Sequence, residues 1–247
     1  MPAAKEKRVR APRRSAEKAE HGTSVATAFV KIRDLIVKGK LSPGSWLLEA
    51  DLCGHLNMSR TPVRGAFHQL QREGYVLEHR SGSKSRMSVA PLTLVDAGEL
   101  YPIIGRIEGL AGRRAAALPA PRREKLAAQL ARVNDRLKEI ARNRQPAGAS
   151  IFDLDREFHR LIVSAGAGPR LKRLHEAIEP QAERYWRLYA SAIFGNLHLS
   201  VAEHEAIIAS LRAGDANRLE DALEANWKNG LERLAGVMQM FGERGSW

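Results

Sequence analysis

The sequence predicts a mainly α-helical protein in two parts. A compact N-terminal part holds three helices and a small β-hairpin, and a C-terminal all-α bundle holds about six helices. Two observations lead to this fold class. Apolar residues recur at helical spacing along most of the chain, whereas the strand-like runs YVLEHR and SRMSVA stand together, joined by SGSK. From Thr93 onward the apolar pattern is helical, which favours a bundle.

Composition narrows the class of protein. The chain has 247 residues, 44% of them hydrophobic and 28% charged, as is ordinary for a globular protein. Its single cysteine, Cys53, excludes an internal disulfide and fits a reducing compartment. No apolar run approaches the roughly 18–20 residues of a membrane span, and the basic N-terminus lacks the apolar stretch of a secretory signal. We therefore expect a cytoplasmic protein without a membrane partner.

The net charge of +12 is concentrated near the N-terminus. Residues 1–92 hold 17 Lys and Arg against 8 Asp and Glu, which suggests a module that binds a polyanion. A solvated basic surface is the alternative. Residues 1–22 have almost no large apolar side chains and cannot bury enough surface to offset chain entropy, so they are predicted to form a disordered basic tail.

The N-terminal helices are predicted in order from their caps and breakers. Ser24 is the expected N-cap of the first helix, and the turn LSPG separates it from a short second helix near Glu49–Leu56. Asn57 tolerates the left-handed backbone of a tight turn, Ser59 caps the third helix, and Gly74 ends it. The apolar stripe of the first helix consists of Val25, Phe29, Ile32 and Ile36.

Three helices and a hairpin in residues 23–92 are typical of a winged helix-turn-helix DNA-binding domain. In this fold the third helix enters the major groove N-terminus first, where free backbone N–H groups and the helix dipole attract phosphate. A solvated amphipathic helix is the alternative. Because one helix reads few base pairs, we expect an inverted-repeat site bound by a two-fold homodimer. The predicted DNA contacts on this helix are Ser59, Arg60, Thr61 and Arg64.

Residues 93–247 are predicted to form the all-α domain. Thr93 and Asp96 make a capping-box-like start to its first helix, and QPAGAS is a linker. The other helices are expected at about 121–143, from the cap Ser150 to about 165, at 169–194, from the cap Ser200 to Gly214, and at 215–241. In the helix that Ser150 is expected to cap, Asp155 and His159 are four residues apart and project from one face. An ordinary surface ion pair is the alternative interpretation of these two residues.

The stretch FVKIRDLIVKGKLSPGSWLLEADLCGHLNMSRTPVRGAFHQLQREGYV resembles the DNA-binding domain of GntR-family bacterial transcriptional regulators. The all-α remainder is similar to the FadR-type branch, whose ligand-binding domain is the FCD domain. The resemblance covers about residues 24–240. It implies a dimeric DNA-binding regulator, not an enzyme, whose operator affinity responds to a small metabolite bound in residues 93–247.

The resemblance also implies a metal site. Many FCD-type domains bind a divalent metal through an Asp and a His four residues apart, a His that opens the next-to-last helix and a His in the last helix. Asp155, His159 and His204 match the first three positions, and Asn226 stands at the fourth, so a zinc- or nickel-like ion with water completing its shell is expected. Such an ion would bind a carboxylate effector directly, with Arg184 as the candidate arginine beside it.

The sequence departs from the DNA-binding pattern of the family at two places. Gly65 replaces the usual Glu after the second arginine, which predicts the loss of a local ion pair. The wing usually carries Arg-Gly near its tip, whereas here Gly82 comes earlier and Arg86 stands near the usual glycine. Lys84 and Arg86 are the candidate DNA contacts of the wing.

The helical domain departs from the family pattern as well. Ile104 occupies a position, four residues before Glu108, that is often Arg, which predicts the loss of one anion contact. His175 and His198 have no family counterpart and are predicted to be surface residues.

Two other functions remain as alternatives. A metal-dependent hydrolase could use Asp155, His159 and His204, but the sequence shows no nucleophile elbow, P-loop or dinucleotide fingerprint. A nucleoid-type protein would bind DNA without sequence preference and would need no ligand pocket. Catalytic turnover of a compound from a metabolite panel would identify the hydrolase. A small acid that stabilises the protein against thermal unfolding would argue against the nucleoid-type protein.

Overall fold

The computed structural model describes the backbone of residues 13–82, 84–143 and 148–245. Within these ranges the side chains of 13–23, 148–150, 190, 191, 193 and 194 are not described. The chain separates into two compact units. Unit 1 contains the described residues up to Asp34 together with Trp46–Ser88, and unit 2 contains Leu35–Ser45 and the described residues from Val89 onward.

Unit 1 is built from three helices and a three-stranded sheet. The elements are α1 (Arg13–Val37, whose last residues belong to unit 2), β1 (Trp46–Leu47), α2 (Glu49–Leu56), α3 (Arg60–Arg72), β2 (Val76–Ser81) and β3 (Lys84–Val89). The sheet order is β1-β3-β2, and β1 pairs antiparallel with β3. The predicted hairpin is confirmed. Strand β1 was not predicted, because two residues are too few to show an alternating pattern.

The start of α1 corrects the predicted tail. The helix begins at Arg13, so Ser24 lies inside it and is not an N-cap, and the predicted disorder of residues 1–22 is wrong from Arg13 onward. Residues 13–20, RRSAEKAE, are mostly good helix formers. Their lack of large apolar groups therefore limits burial without preventing a helix. Residues 1–12 lie outside the described part of the chain.

The turn between α2 and α3 forms as its residues predict. Asn57 adopts a left-handed backbone with φ 52°, and Ser59 is the residue before the first turn of α3, although its side chain makes no capping hydrogen bond. Gly74, with φ +77°, follows the end of α3. One face of α3 is buried by Pro62, Val63, Ala66, Phe67 and Leu70. The opposite face, with its arginines, is therefore left to solvent.

Unit 2 confirms the predicted all-α domain. Its described helices are α4 (Leu94–Ala116), α5 (Ala120–Asn143), α6 (Gly148–Gly166), α7 (Pro169–Ile193), α8 (Leu197–Ala213) and α9 (Ala216–Phe241), with a 3-10 turn at Phe194–Asn196. The Thr93 side chain accepts a hydrogen bond from the backbone N–H of Asp96, as predicted. Ser150 and Ser200, predicted to be caps, lie inside α6 and α8 instead, because α6 begins before Ser150 and the 3-10 turn starts α8 earlier.

Close packing around α4 positions the site described below. A Cβ on Gly112 would overlap Leu223 of α9, and a Cβ on Gly166 of α6 would overlap the Ala111 carbonyl. Glycine at these two positions lets α6 and α9 approach α4 closely. Phe158 and Leu130 belong to the apolar core between α5, α6 and α8. None of the described helices combines the length and the apolar character of a membrane span.

Candidate functional site

The N-terminal end of α3 presents two arginines on the surface of unit 1. The Arg60 and Arg64 side chains are 71% and 64% exposed. Both approach Glu49 of α2, with Nε–Oε distances of 3.8 Å for Arg60 and 2.6 Å for Arg64. Exposed pairs of this kind contribute little stability, but they restrict where the guanidinium groups point. Ser59 and Thr61 beside them are also exposed.

Gly65 has a packing role in this part of unit 1. A Cβ on Gly65 would lie 2.9 Å from Cγ2 of Val25 in α1, closer than packed carbons sit. A larger residue would push α3 away from α1. Arg64, the residue before Gly65, pairs with Glu49 of α2.

The wing residues are exposed too. Lys84 and Arg86 lie on the solvent side of β3, and the Arg86 guanidinium lies 5.9 Å from the ring of Trp46. All six residues predicted to contact DNA are therefore accessible in unit 1. Their contacts with DNA remain a prediction.

Three of the four predicted metal ligands of unit 2 meet at one point. One ligand atom each from Asp155 and His159 of α6 and His204 of α8 lies within 4.8 Å of the other two. The distance between His204 Nε2 and Asp155 Oδ1 is 3.6 Å. His204 is fully buried, His159 is 5% exposed, and the Asp155 side chain is 17% exposed. We call these three residues the Asp–His–His cluster.

The neighbours of His204 settle which of its nitrogens can bind a metal. The Asn134 amide nitrogen donates to the Val201 carbonyl at 3.0 Å, which turns its oxygen towards His204 Nδ1 at 3.1 Å. Nδ1 must then donate, so Nε2 keeps its lone pair. Burial and the charge of His159 hold the pKa of His204 well below its ordinary value. Its Nε2 is buried with no hydrogen-bond partner among the described residues, which suits a metal ligand.

A buried carboxylate orients His159. Glu108 of α4 is 0% exposed and accepts from His159 Nδ1 at 2.5 Å, from His175 Nε2 at 2.9 Å and from Trp227 Nε1 at 2.8 Å. Burial alone would raise the pKa of Glu108, but His159 and His175 together lower it to about 2. Glu108 is therefore ionised, and since it accepts from Nδ1, Nε2 is the nitrogen of His159 that can bind a metal once its proton is lost. Carboxylate groups orient metal-binding histidines in this way.

The charge state of the cluster depends on what it binds. Burial lowers the pKa of His159, but the Glu108 carboxylate outweighs burial and raises that pKa to about 9. Burial raises the pKa of Asp155, which the charge of His159 partly opposes. Without a metal, His159 thus carries a proton that an incoming ion must displace.

Asn226, the predicted fourth ligand, takes part in a neighbouring polar network. It is 7% exposed, and its amide nitrogen donates to Glu203 at 2.8 Å. Glu203 also accepts from Asn229 at 3.0 Å and from both terminal nitrogens of Arg233 at 2.7 and 2.9 Å. The amide nitrogen of Asn226 is thus engaged, and ligation through its oxygen remains a prediction.

A small cavity adjoins the cluster, with about 40 Å³ of space for water centres, enough for a few water molecules. It is lined by Glu108, Phe152, Asp155, Arg156, His159, Glu179, Glu183, Trp186 and Trp227. Arg184, predicted to sit beside a bound carboxylate, does not line it. Its guanidinium donates to the Ala90 carbonyl at 2.5 Å and to Gln181 at 3.2 Å instead. The arginine at the cavity is Arg156, which pairs with Asp153 at 2.7 Å.

Several residues of the site were missed from the sequence, His175 and Trp227 among them. His175 is 2% exposed, so its prediction as a surface residue is wrong, whereas His198 is exposed as expected. His175 shares a helical stripe with Ile178 and Ala182, and this spacing was the available signal. Trp227 donates to Glu108 from α9, a partnership for which the sequence gives no local signal.

Comparisons with known proteins agree with both halves of this description. Residues 25–84 match the model of the bacterial regulatory proteins of the gntR family, and residues 99–229 match the FCD domain. A relative from Paenarthrobacter nicotinovorans, named "Probable D-xylose utilization operon transcriptional repressor", is 32% identical over 204 residues, covering 80% of this chain and 84% of its own. An uncharacterized HTH-type transcriptional regulator of Agrobacterium vitis is 31% identical over 144 residues, covering 58% and 81%.

Solved structures share the fold. McbR/YncC of E. coli has a TM-score of 0.67 at 19% identity, over 89% of this chain and 99% of its own. A GntR regulator of Rhodococcus has a TM-score of 0.64 at 22% identity, over 87% and 98%. The matched family and the relatives are transcriptional regulators, not enzymes. The chain is a transcriptional regulator of the GntR family, with a DNA-binding helix-turn-helix domain and an FCD domain.

Proposed function

We propose that this regulator binds an inverted-repeat operator as a homodimer, and that a small carboxylate bound at a divalent ion in the FCD domain modulates its affinity for that operator. The observation that carries the metal part is the buried Nε2 of His204, which has no hydrogen-bond partner among the described residues. Leaving such an atom unsatisfied costs about 1–3 kcal/mol, and an ion removes that cost.

The donor set fits a zinc- or nickel-like ion. Asp155, His159 and His204 supply one carboxylate and two imidazoles, and both imidazoles are oriented by partners outside the cluster. Three protein ligands leave a coordination position for water or another oxygen ligand. A bound ion would supply a Lewis-acidic centre for an anionic oxygen. The small size of the adjoining cavity favours a compact ligand.

The DNA part is supported by the exposed first turns of α3. Arg60, Arg64, Ser59 and Thr61 are accessible where a recognition helix meets DNA, and Lys84 and Arg86 add positive charge on the wing. One recognition helix per chain covers few base pairs, which favours a two-fold dimer. Val95, Ile103 and Leu110, exposed apolar residues of α4, are available to such an interface.

The name of the Paenarthrobacter relative refers to an operon for the use of a sugar. By analogy, we propose that the effector is a small metabolite of a catabolic pathway. A nucleoid-type role is disfavoured because it would leave the Asp–His–His cluster without a use.

The test measures operator affinity directly. Fluorescence anisotropy on the DNA upstream of the protein's own gene is compared for chelated protein, zinc-loaded protein, and zinc-loaded protein with a panel of small carboxylates. We expect zinc plus one carboxylate to change the operator Kd by about 5–150-fold, the usual range of allosteric coupling. The His159→Ala variant, with its ligand nitrogen removed, is expected to show no such change. An equal response in wild type and His159→Ala would contradict the metal-dependent mechanism.

A further inference from the structure

The described chain ends in a short segment that turns back from α9 onto the start of the helical domain. Arg244 forms an antiparallel bridge with Leu92, in which each backbone N–H donates to the carbonyl of the other residue, at 2.8 and 3.1 Å. The Glu243 carboxylate accepts from the backbone N–H of Leu94, in the first turn of α4, at 2.7 Å. We call residues 242–245 the C-terminal strap.

Both ends of the C-terminal strap are held as well. Its first residue, Gly242, accepts a hydrogen bond from the hydroxyl of Tyr189 in α7 at 2.8 Å. Its last residue, Gly245, packs backbone against backbone on Gly44, because a Cβ on Gly44 would lie 2.6 Å from the Cα of Gly245. A Cβ on Gly245 would in turn overlap the backbone of Pro43 and Gly44. The approach therefore depends on glycine at both positions.

The C-terminal strap contacts the residues at which unit 2 is joined to unit 1. The chain passes between the two units inside α1, after Ser45 and before Val89. The last two places are tied together, since the Val89 N–H donates to the Ser45 carbonyl and the Gly44 N–H donates to the Val89 carbonyl, both at 2.9 Å. Gly44 and Leu92, the partners of the strap, adjoin these places. A docked strap therefore restrains the junction from the side of unit 2.

The helices that meet at Glu108 also reach the C-terminal strap. Glu108 lies on α4, which begins beside the strap, and its partner His175 lies on α7, which carries Tyr189 further along. Its partner Trp227 lies on α9, which runs into the strap. One apolar core joins the two ends, and its members include Leu92, Tyr185, Tyr189, Trp227, Leu234 and Met238. Packed side chains of this kind can carry coupling between distant sites.

We propose that the C-terminal strap is a conformational switch that sets the affinity of this regulator for its operator. Docked on Leu92 and Gly44, it restrains the junction and favours operator binding. Released, it frees the junction, and binding must then order it. Few hydrogen bonds hold the strap, and Glu243 and Arg244 are exposed, so both states are accessible, as is usual for a chain terminus.

The switch gives the helical domain a way to act on DNA binding. A ligand that shifts α7 or α9 changes the fraction of docked strap, and it does so by as much as its affinities for the two states differ. The proposal rests on the proposed function, because it names the element through which an occupant of the FCD domain changes operator affinity.

The experiment uses the full-length chain, two strap variants and a control. Gly245→Ala places a Cβ against the backbone of Gly44 and so opposes docking. Deletion of residues 243–247 removes the bridge to Leu92. Gly39→Ala is the matched control, because Gly39 also has a positive φ, 69° against 77° for Gly245, but a Cβ there would meet nothing within 4 Å.

Three measurements are made on each protein. Hydrogen exchange of the peptide that contains Leu92 and Leu94 reports docking, because the strap supplies the acceptors of both amides. Calorimetry reports zinc binding. Fluorescence anisotropy on the DNA upstream of the protein's own gene reports operator affinity, with chelated protein, with zinc, and with zinc plus succinate.

We expect faster exchange of Leu92 and Leu94 in both strap variants than in wild type. The operator Kd of both should rise about fivefold or more, the lower end of the usual range of allosteric coupling. Zinc should still bind both, because the strap contains none of the Asp–His–His cluster. Any change in operator Kd that zinc or succinate causes in wild type should shrink to less than about twofold. Gly39→Ala should behave as wild type throughout.

The other outcomes each have one meaning. Wild-type exchange in both strap variants would show that the strap is not docked in solution, and wild-type operator affinity despite faster exchange would show that docking does not set affinity. Either would overturn the switch, as would an equal loss of affinity in Gly39→Ala. If wild type binds no zinc, the metal in the proposed function is overturned, whereas weaker operator binding by both chelated strap variants would still support the switch.

Discussion

The two candidate sites of this regulator are built in opposite ways. The residues of α3 that are predicted to contact DNA are exposed, and two of them form surface ion pairs with Glu49. The Asp–His–His cluster is buried instead, and each of its histidines depends on a partner from another helix. Side chains on a surface can change without disturbing the fold. Buried polar groups are coupled to stability because each loss leaves a neighbour unsatisfied. The first site should therefore lose function alone when mutated, and the second should lose stability as well.

The largest expected effect is at Glu108, the shared acceptor of His159, His175 and Trp227. Glu108→Ala leaves three buried donors without their partner, and breaking a buried ion pair costs about 3–5 kcal/mol. We expect a loss of that size in the free energy of unfolding of unit 2, measured by guanidinium denaturation.

Glu205→Ala is the matched control for this prediction. Glu205 forms an equally short pair with Lys138, at 2.7 Å, but the two side chains are 52% and 40% exposed. Its loss is expected to cost about 0–1 kcal/mol. Similar losses in the two variants would show that burial does not separate the sites.

The exposed site is expected to show the reverse pattern. Arg60→Ala and Arg64→Ala each weaken operator binding by about 1–3 kcal/mol if the arginine reads a base, and specificity falls at one position. The free energy of unfolding should change by less than about 1 kcal/mol, because the ion pairs with Glu49 are exposed. Anisotropy on operator and random DNA, with denaturation alongside, measures both.

Arg72→Ala serves as the control for the arginine pair, since Arg72 is exposed on the last turn of the same helix. Its loss should leave operator affinity nearly unchanged. A loss as large as that of Arg64→Ala would mean that the N-terminal end of α3 is not the end that meets DNA.

The same contrast explains what the sequence could predict. The exposed arginines, the turn at Asn57 and the i, i+4 pair Asp155 and His159 are local patterns, so residue type and spacing sufficed. The partners Glu108 and Asn134 come from helices 51 and 70 residues away along the chain from the histidines they contact. Such pairings arise from how helices pack, which spacing within one helix does not encode.

Asn226→His sharpens the comparison within the buried site. If position 226 faces the cluster, an added imidazole should tighten zinc binding by about tenfold or more, since even outer-shell partners alter metal affinity by 10–100-fold. Without metal, the variant loses the hydrogen bond to Glu203 and about 1 kcal/mol of stability. Calorimetry with zinc on wild type, Asn226→His, His159→Ala and the double variant measures the effect.

Each result of that series has a meaning. His159→Ala should abolish zinc binding in both backgrounds. Equal zinc affinity of wild type and Asn226→His would place Asn226 outside the coordination sphere. Asn226 would then act through its hydrogen bond to Glu203. Zinc binding that survives His159→Ala would mean that the ion sits elsewhere.

The smallest expected effect comes from residues 1–12, which hold four Lys and Arg against one Glu. Their contribution to DNA binding should be electrostatic and sequence-independent, because charge without a pattern of base-reading groups attracts any duplex. Deleting 1–12 should lower affinity for operator and random DNA equally, by less than about tenfold, and mainly at low salt. Replacing the four basic residues by glutamine at constant length should reproduce the deletion. Deleting 1–22 also removes the start of α1, so any additional loss would measure that helix extension. A deletion that changes the preferred operator would show that these residues read sequence, and would extend the exposed site beyond α3 and the wing.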